Sequence, residues 1–153
     1  MSKKLIIFPL SLFFIDQCTK WIAVQQLNLF YPFTIIPNIF SLQLVYNYGA
    51  AYGILQNQRL FLLIVGTIVI IGGFVFSKKI ISSAWSCVGL CFLLGGACGN
   101  VFDRFRLGYV VDFIDIRIFP VFNFADVFID IAIACFLIEL IFYDKKKIQS
   151  KKS

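Results

Sequence analysis

The sequence predicts an all-helical membrane core of four spanning helices, with a small β segment and a polar loop at one face of the bilayer. Three observations carry that expectation. Hydrophobic residues make up 60% of the 153-residue chain, above the roughly 45–50% apolar content of a soluble domain. They fall in long blocks, each close to the ~20 residues that cross a bilayer. The basic residues gather at alternate ends of those blocks.

The first block follows Lys3 and Lys4 and covers about residues 5–24. Its opening resembles a secretory leader, a basic pair before the apolar run Leu5 to Ile15. No small-x-small cleavage site follows, and the apolar pattern resumes after Asp16 and Lys20, so it is read as a spanning helix. Residues 28–56 contain Phe33-Thr34-Ile35 and Phe40 to Tyr46, alternating apolar and polar positions punctuated by Pro32 and Pro37. That pattern predicts a short hairpin or small sheet resting on the membrane surface. Further spans are expected at about residues 60–77, 83–102 and 124–143, with an open loop between the third and fourth. Gly95 and Gly99 near the end of the third form a GxxxG pair, read as helix packing. No linker interrupts the blocks, so residues 1–153 are expected to form one membrane domain.

Nine of the fourteen basic residues (Lys3, Lys4, Lys78, Lys79, Lys145, Lys146, Lys147, Lys151 and Lys152) would share one side of this four-span frame. The positive-inside rule then predicts cytoplasmic termini and an outward-facing 25–59 and 103–123. The net charge of +6 is read as a topology signal and contact with anionic lipid, not as a nucleic-acid footprint.

The absence of histidine excludes Ser-His-Asp and Cys-His catalysis and the usual catalytic zinc site. The five cysteines (Cys18, Cys87, Cys91, Cys98 and Cys135) lie within apolar segments and lack CxxC spacing, so they are read as buried free thiols. No metal or cofactor is expected.

Ionisable groups near membrane depth are costly and need a partner or a purpose. Asp16 and Lys20 stand at i and i+4, acid first, the favourable order for a helical ion pair. At about 1.5 Å per residue, Asp16 falls just past mid-membrane toward the outer side. Asn100, Asp103 and Arg104 surround the outer end of the third span, where they either terminate the helix or build a site; Asp112 and Asp115 follow. In Phe122 to Asp126, Asn123 is a good N-cap and Asp126 sits three residues on, where its carboxylate can bond back to the cap N–H. The positive end of the helix dipole also favours a carboxylate there. Were Asp112 close to it, the pair would share one proton, as a water-activating aspartic dyad does. Periodicity does not choose Asp112 and Asp126 over Asp103, Asp115 or Asp130.

The blocks DQCTK (Asp16 to Lys20), NYGAAYG (Asn47 to Gly53), GNVFDR (Gly99 to Arg104), VVDF (Val110 to Phe113) and FNFAD (Phe122 to Asp126) resemble, in order, the signature blocks of bacterial lipoprotein signal peptidase, or signal peptidase II. The resemblance implies an aspartic endopeptidase with Asp112 and Asp126 as its catalytic dyad. It implies that Asp16, Lys20, Asn47, Gly49, Asn100, Asp103, Arg104, Asn123 and Ala125 shape or support the site, and that the first outer segment forms a periplasmic β-cradle. The implied substrate is a diacylglyceryl-modified prolipoprotein, cut before its lipidated cysteine at the outer face of the inner membrane. The implied inhibitors are cyclic peptide antibiotics such as globomycin, and a monomer is expected.

Three other readings compete. A small transporter or proton-relay protein also carries intramembrane acids, though no internal repeat with paired broken helices is visible. A non-catalytic subunit would use the same polar residues to hold helices together. A Ser-Lys protease would need a serine near Lys20, and the outer motifs offer only Ser41.

Overall fold

The computed structural model describes residues 4–50 and 54–150, with side chains at 5–50 and 54–141. Lys3, Ala51 to Gly53, Lys151 and Lys152 lie outside the described residues, as do the side chains of Lys4, Tyr143 and Lys145 to Lys147. The chain runs through α1 (Lys4–Gln26), β1 (Phe33–Ile36), β2 (Phe40–Asn47), α2 (Arg59–Val75), the single turn α3 (Ser77–Ile80), α4 (Ala84–Arg106), β3 (Val110–Asp115) and α5 (Phe124–Ser150). Among the described residues, Leu5–Gln26 and Ala84–Arg106 are long and apolar enough to cross a membrane. α2 is apolar but only 17 residues long, and α5 carries Asp126, Asp130 and Glu139 along its length.

α4 is the hub, with α1, α2 and α5 packed around it. Its small residues allow this, since helices in an apolar solvent associate through close packing rather than through water exclusion. A Cβ on Gly96 would run into the Ala125 carbonyl of α5, and one on Gly99 into the Asp16 carboxylate of α1. At one end, Leu5 packs with Leu90, Cys91 and Leu94; toward the other, polar side chains replace apolar ones in the interior.

Both ends of α4 are closed. Ser83 accepts from the N–H groups of Trp85 and Ser86, and Ser86 returns the bond in a capping box. Ser82 and Ser83 also donate to the Glu139 carboxylate of α5, tying the two helices together. At the C-terminus the Arg59 guanidinium of α2 donates to the carbonyls of Arg104 (2.8 Å) and Phe105 (2.9 Å), two of the acceptors a helix end leaves unpaired.

The strands form one antiparallel sheet in the order β1-β2-β3. β3 occupies part of the segment expected to be an open loop. Its residues do not alternate: Val110, Val111, Asp112, Phe113 and Asp115 are all buried, so the period-two signal of a half-buried strand is missing. A bulge between Leu42 and Val45 shifts the register, setting Val45 opposite Asp112 and Asn47 opposite Val110. Beyond β3 the chain turns back until Phe122 bridges Ile114 (Phe122 N–H to Ile114 carbonyl, 3.0 Å). This return places Asn123, at the start of α5, beside Asp112.

All five cysteines are free thiols. The expectation that all are buried fails at Cys18, which is exposed on α1, while Cys91 and Cys135 are buried and Cys87 and Cys98 half-buried. At about 100° per residue, the face of α1 that turns Asp16 and Lys20 inward turns Cys18 out.

Candidate active site

Ten polar or charged residues are buried among those described, and six of them (Asp16, Lys20, Asn100, Asp103, Asp112 and Asn123) belong to the sequence motifs and meet where α1, α4, β3 and α5 come together. None of their buried side-chain N or O atoms lacks a hydrogen-bond partner, which is what keeps such a cluster from unfolding the core.

The cluster is built outward from Lys20. Its ammonium, 3% exposed, meets Asp16 at 2.9 Å, Asp103 at 3.0 Å and the Asn100 side-chain carbonyl at 3.0 Å. Three donors meet three acceptors, so the group has no bond left to offer. Asp16 also accepts from the Ala125 N–H of α5 at 2.9 Å, and Asp103 from the Val111 N–H of β3 at 3.2 Å. One ion cluster therefore fixes α1, α4, α5 and β3 against one another.

Asn100 passes this order on to the cavity. Its side-chain carbonyl also accepts from Asn123 at 3.3 Å, which leaves its amide N–H to donate to Asp126 at 2.8 Å. Asp126 makes the reciprocal cap anticipated from its spacing: its carboxylate accepts from the Asn123 N–H at 3.2 Å, and its own N–H donates to the Asn123 side chain at 3.1 Å. The Asn123 amide then donates to Asp112 at 2.6 Å. One asparagine thus bonds to both carboxylate residues and sets their relative position.

Asp112, 2% exposed, accepts a second bond from Asn47 on β2 at 3.0 Å. Burial, reinforced by the negative charge of Asp126, pushes its pKa up to about 7, against the opposing pull of the two asparagine amides and of Lys20. A carboxyl so placed holds its proton near neutrality.

Asp112 and Asp126 line a cavity of about 420 Å³ with Asn47, Asn100 and Arg104, walled on the apolar side by Ile116, Phe119, Val121 and Ile129. Arg104 donates to the Gly49 carbonyl at 2.9 Å, holding the turn after β2 against α4. Gly49 is needed there because a Cβ would lie 2.7 Å from the Ile54 carbonyl.

The residues that the resemblance implied therefore meet in one network: Asp112, Asp126, Asn47, Asn100 and Arg104 at the cavity, Asp16, Lys20, Asp103, Asn123 and Ala125 behind it, and Gly49 in the adjoining turn. Asp115 stands apart, paired with Ser41 at 2.9 Å and with Arg117 at 3.4 Å. Two residues of the network were missed. Gln17 donates to Asp103 at 2.9 Å and to Asp16 at 3.1 Å, and an amide inside an apolar span was the available signal. Arg59 gave none, because its acceptors are backbone carbonyls distant in sequence.

The family model described as signal peptidase (SPase) II matches residues 8–142. A lipoprotein signal peptidase of Caldanaerobacter subterraneus subsp. tengcongensis is 44% identical over 117 residues, 76% of this chain and 81% of the relative. One from Streptococcus agalactiae serotype Ia is 41% identical over 137 residues, 88% of this chain and 89% of the relative. Among solved structures, a bacterial membrane enzyme determined by the in meso method superposes with a TM-score of 0.87 at 31% identity, covering 96% of this chain and 93% of that one. A second such enzyme gives a TM-score of 0.79 at 32% identity, covering 92% of this chain and 94% of the other. With the family model spanning most of its length, and relatives this similar covering as much, the chain belongs to the signal peptidase II family.

Proposed function

We propose that this membrane protease removes the signal peptide from prolipoproteins with Asp112 and Asp126 as a water-activating dyad, cutting before a diacylglyceryl-modified cysteine. Signal-peptide removal from prolipoproteins is the activity its family and relatives carry. The observation that supports the dyad is the bridging Asn123, bonded to Asp112 by its side chain and to Asp126 by both backbone and side chain at one cavity wall.

In this reading the Asp126 carboxylate, at the positive end of α5, takes a proton from a water held between the two acids. Asp112 is protonated because of its burial and donates to the carbonyl oxygen of the scissile bond as the hydroxide adds to its carbon. The tetrahedral diol then collapses: the proton gained by Asp126 goes to the departing amide nitrogen, the C–N bond breaks, and Asp112 recovers its proton from the second hydroxyl. Water is consumed and no covalent enzyme intermediate forms. Asn47, Asn100 and Asn123 orient the carboxylates; Asp16, Lys20 and Asp103 hold the helices that carry them; Arg104, Gly49 and Ala125 complete the frame.

α1, α2, α4 and α5 serve as four spans of a single domain, with both termini cytoplasmic and the site at the outer face, where a membrane-spanning signal peptide presents its cleavage point. The sheet lies at that face as a cradle, and the protein works as a monomer in contact with lipid. Cyclic peptides such as globomycin occupy the same cavity.

The test is cleavage of a diacylglyceryl-modified prolipoprotein and of its unlipidated form in detergent micelles. Wild type cuts the lipidated form alone, and Asp112→Asn and Asp126→Asn, each folded, cut neither. Cleavage that survives both substitutions overturns the dyad.

A further inference from the structure

One carboxylate at the cavity takes no part in the network. Asp130 lies one helical turn beyond Asp126 on α5 and lines the same cavity. It is exposed, and among the described residues no hydrogen bond or ion pair reaches it. The neighbouring Asp112 and Asp126 carboxylates each accept two or more bonds from protein donors. On a helix rising ~1.5 Å per residue, Asp130 sits about 6 Å from Asp126 toward the membrane interior. An ionisable group at that depth with no internal partner is costly unless something that enters the cavity satisfies it.

We infer that Asp130 is a substrate-positioning residue that accepts hydrogen bonds from backbone N–H groups on the signal-peptide side of the scissile bond. This rests on the proposed peptidase reading. A signal peptide inside the bilayer is helical because helix formation pairs its backbone groups. To reach the dyad, the residues next to the cut leave that helix, and their N–H groups lose their carbonyl partners in a place with little water. The side chains of a membrane-spanning segment are apolar, so the donors it brings to the cavity are backbone N–H groups. Ile129 and Ile116 in the same wall accept none through their side chains. The carboxylate of Asp130 stands on the membrane side of the dyad, where that unwound stretch must lie.

Kinetics with a lipidated prolipoprotein peptide in detergent micelles test this for wild type, Asp130→Asn and Asp130→Leu. Asp130→Leu raises KM about tenfold with kcat little changed, the size expected for losing one charge-assisted hydrogen bond, and Asp130→Asn, which keeps an acceptor oxygen, loses less. A substrate N-methylated at the backbone positions just before the cut raises KM for wild type, and adds no further penalty in Asp130→Leu. An unchanged KM in Asp130→Leu, or penalties that simply add, overturns the inference while wild-type turnover keeps the peptidase reading intact. Absence of turnover in folded wild type removes that reading and this inference with it.

Discussion

Substituting Asn47 tests the protonation state of the dyad directly. Its side-chain amide donates to Asp112 at 3.0 Å, a bond that stabilises the carboxylate form and holds down a pKa that burial and Asp126 have pushed up to about 7. If Asp112 works as the acid, kcat/KM falls as pH rises through that value and the proton is lost. Asn47→Ala removes a donor to the anion, the pKa rises, and the alkaline limb moves to higher pH. A hydrogen bond to a charged group is worth about 1.5–3 kcal/mol, and one pH unit is about 1.4 kcal/mol. Because Asn47 is half-buried and water can replace part of the bond, the expected displacement is about one unit. The assay is kcat/KM on the lipidated substrate from about pH 5 to pH 9, with a melting curve at each end to confirm folding. A limb that moves to lower pH, or stays within about 0.3 unit of wild type, refutes the assignment of Asp112 as the protonated partner.

Lys20→Met leaves Asp16 and Asp103 buried without their cation, and breaking a buried pair in this way costs about 3–5 kcal/mol; thermal denaturation in detergent reads it, and adding Asp103→Asn recovers part of the loss. Gly99→Ala drives a methyl group into the Asp16 carboxylate and to 3.3 Å from the Ala125 side chain, with an expected destabilisation of about 1–3 kcal/mol. Gly72→Ala, inside α2 where nothing lies within 4 Å, serves as the control in the same melts, with no clash and a small gain of up to about 1 kcal/mol from helix propensity. Glu139→Ala removes the acceptor of Ser82 and Ser83 at the far end of α4 and α5, and destabilises the fold by about 1–2 kcal/mol, read as a lower melting midpoint, with cleavage kinetics unchanged.

What the sequence revealed was local, and what it hid was long-range. The reciprocal cap of Asn123 and Asp126 spans three positions, and the Asp16–Lys20 pair spans four; in both, helix geometry alone decides the contact. Asp103 and Arg104 are adjacent and were undecided between headgroup contact and a site. Their side chains leave α4 roughly 100° apart, so Asp103 reaches Lys20 inside while Arg104 reaches the Gly49 carbonyl, a distinction set by where α1 and β2 stand. Placing Asp112 beside Asp126 depends on the turn back from Ile114 to Phe122 and on pairing with a strand 65 residues earlier through Asn47. No periodicity encodes that pairing, and only resemblance drew attention to those two acids. β3 was hidden for a related reason, since a strand buried on both faces shows no alternation.

The Asp16–Lys20 contact bears on biogenesis. A membrane protein is made from its N-terminus, so α1 meets the bilayer before α4 or α5 exists. A lone lysine or aspartate at that depth opposes insertion by about 2.5–3.5 kcal/mol. Here acid and base lie 2.9 Å apart on one helix, so α1 can enter as a self-neutralised segment and wait. The arrival of α4 then adds Asp103 and Asn100 to the lysine, and that of α5 brings the Ala125 N–H to Asp16. Pairing within α1 thus lowers the cost that the two charges impose on insertion, and the same two residues are the ones that α4 and α5 contact in the folded protein.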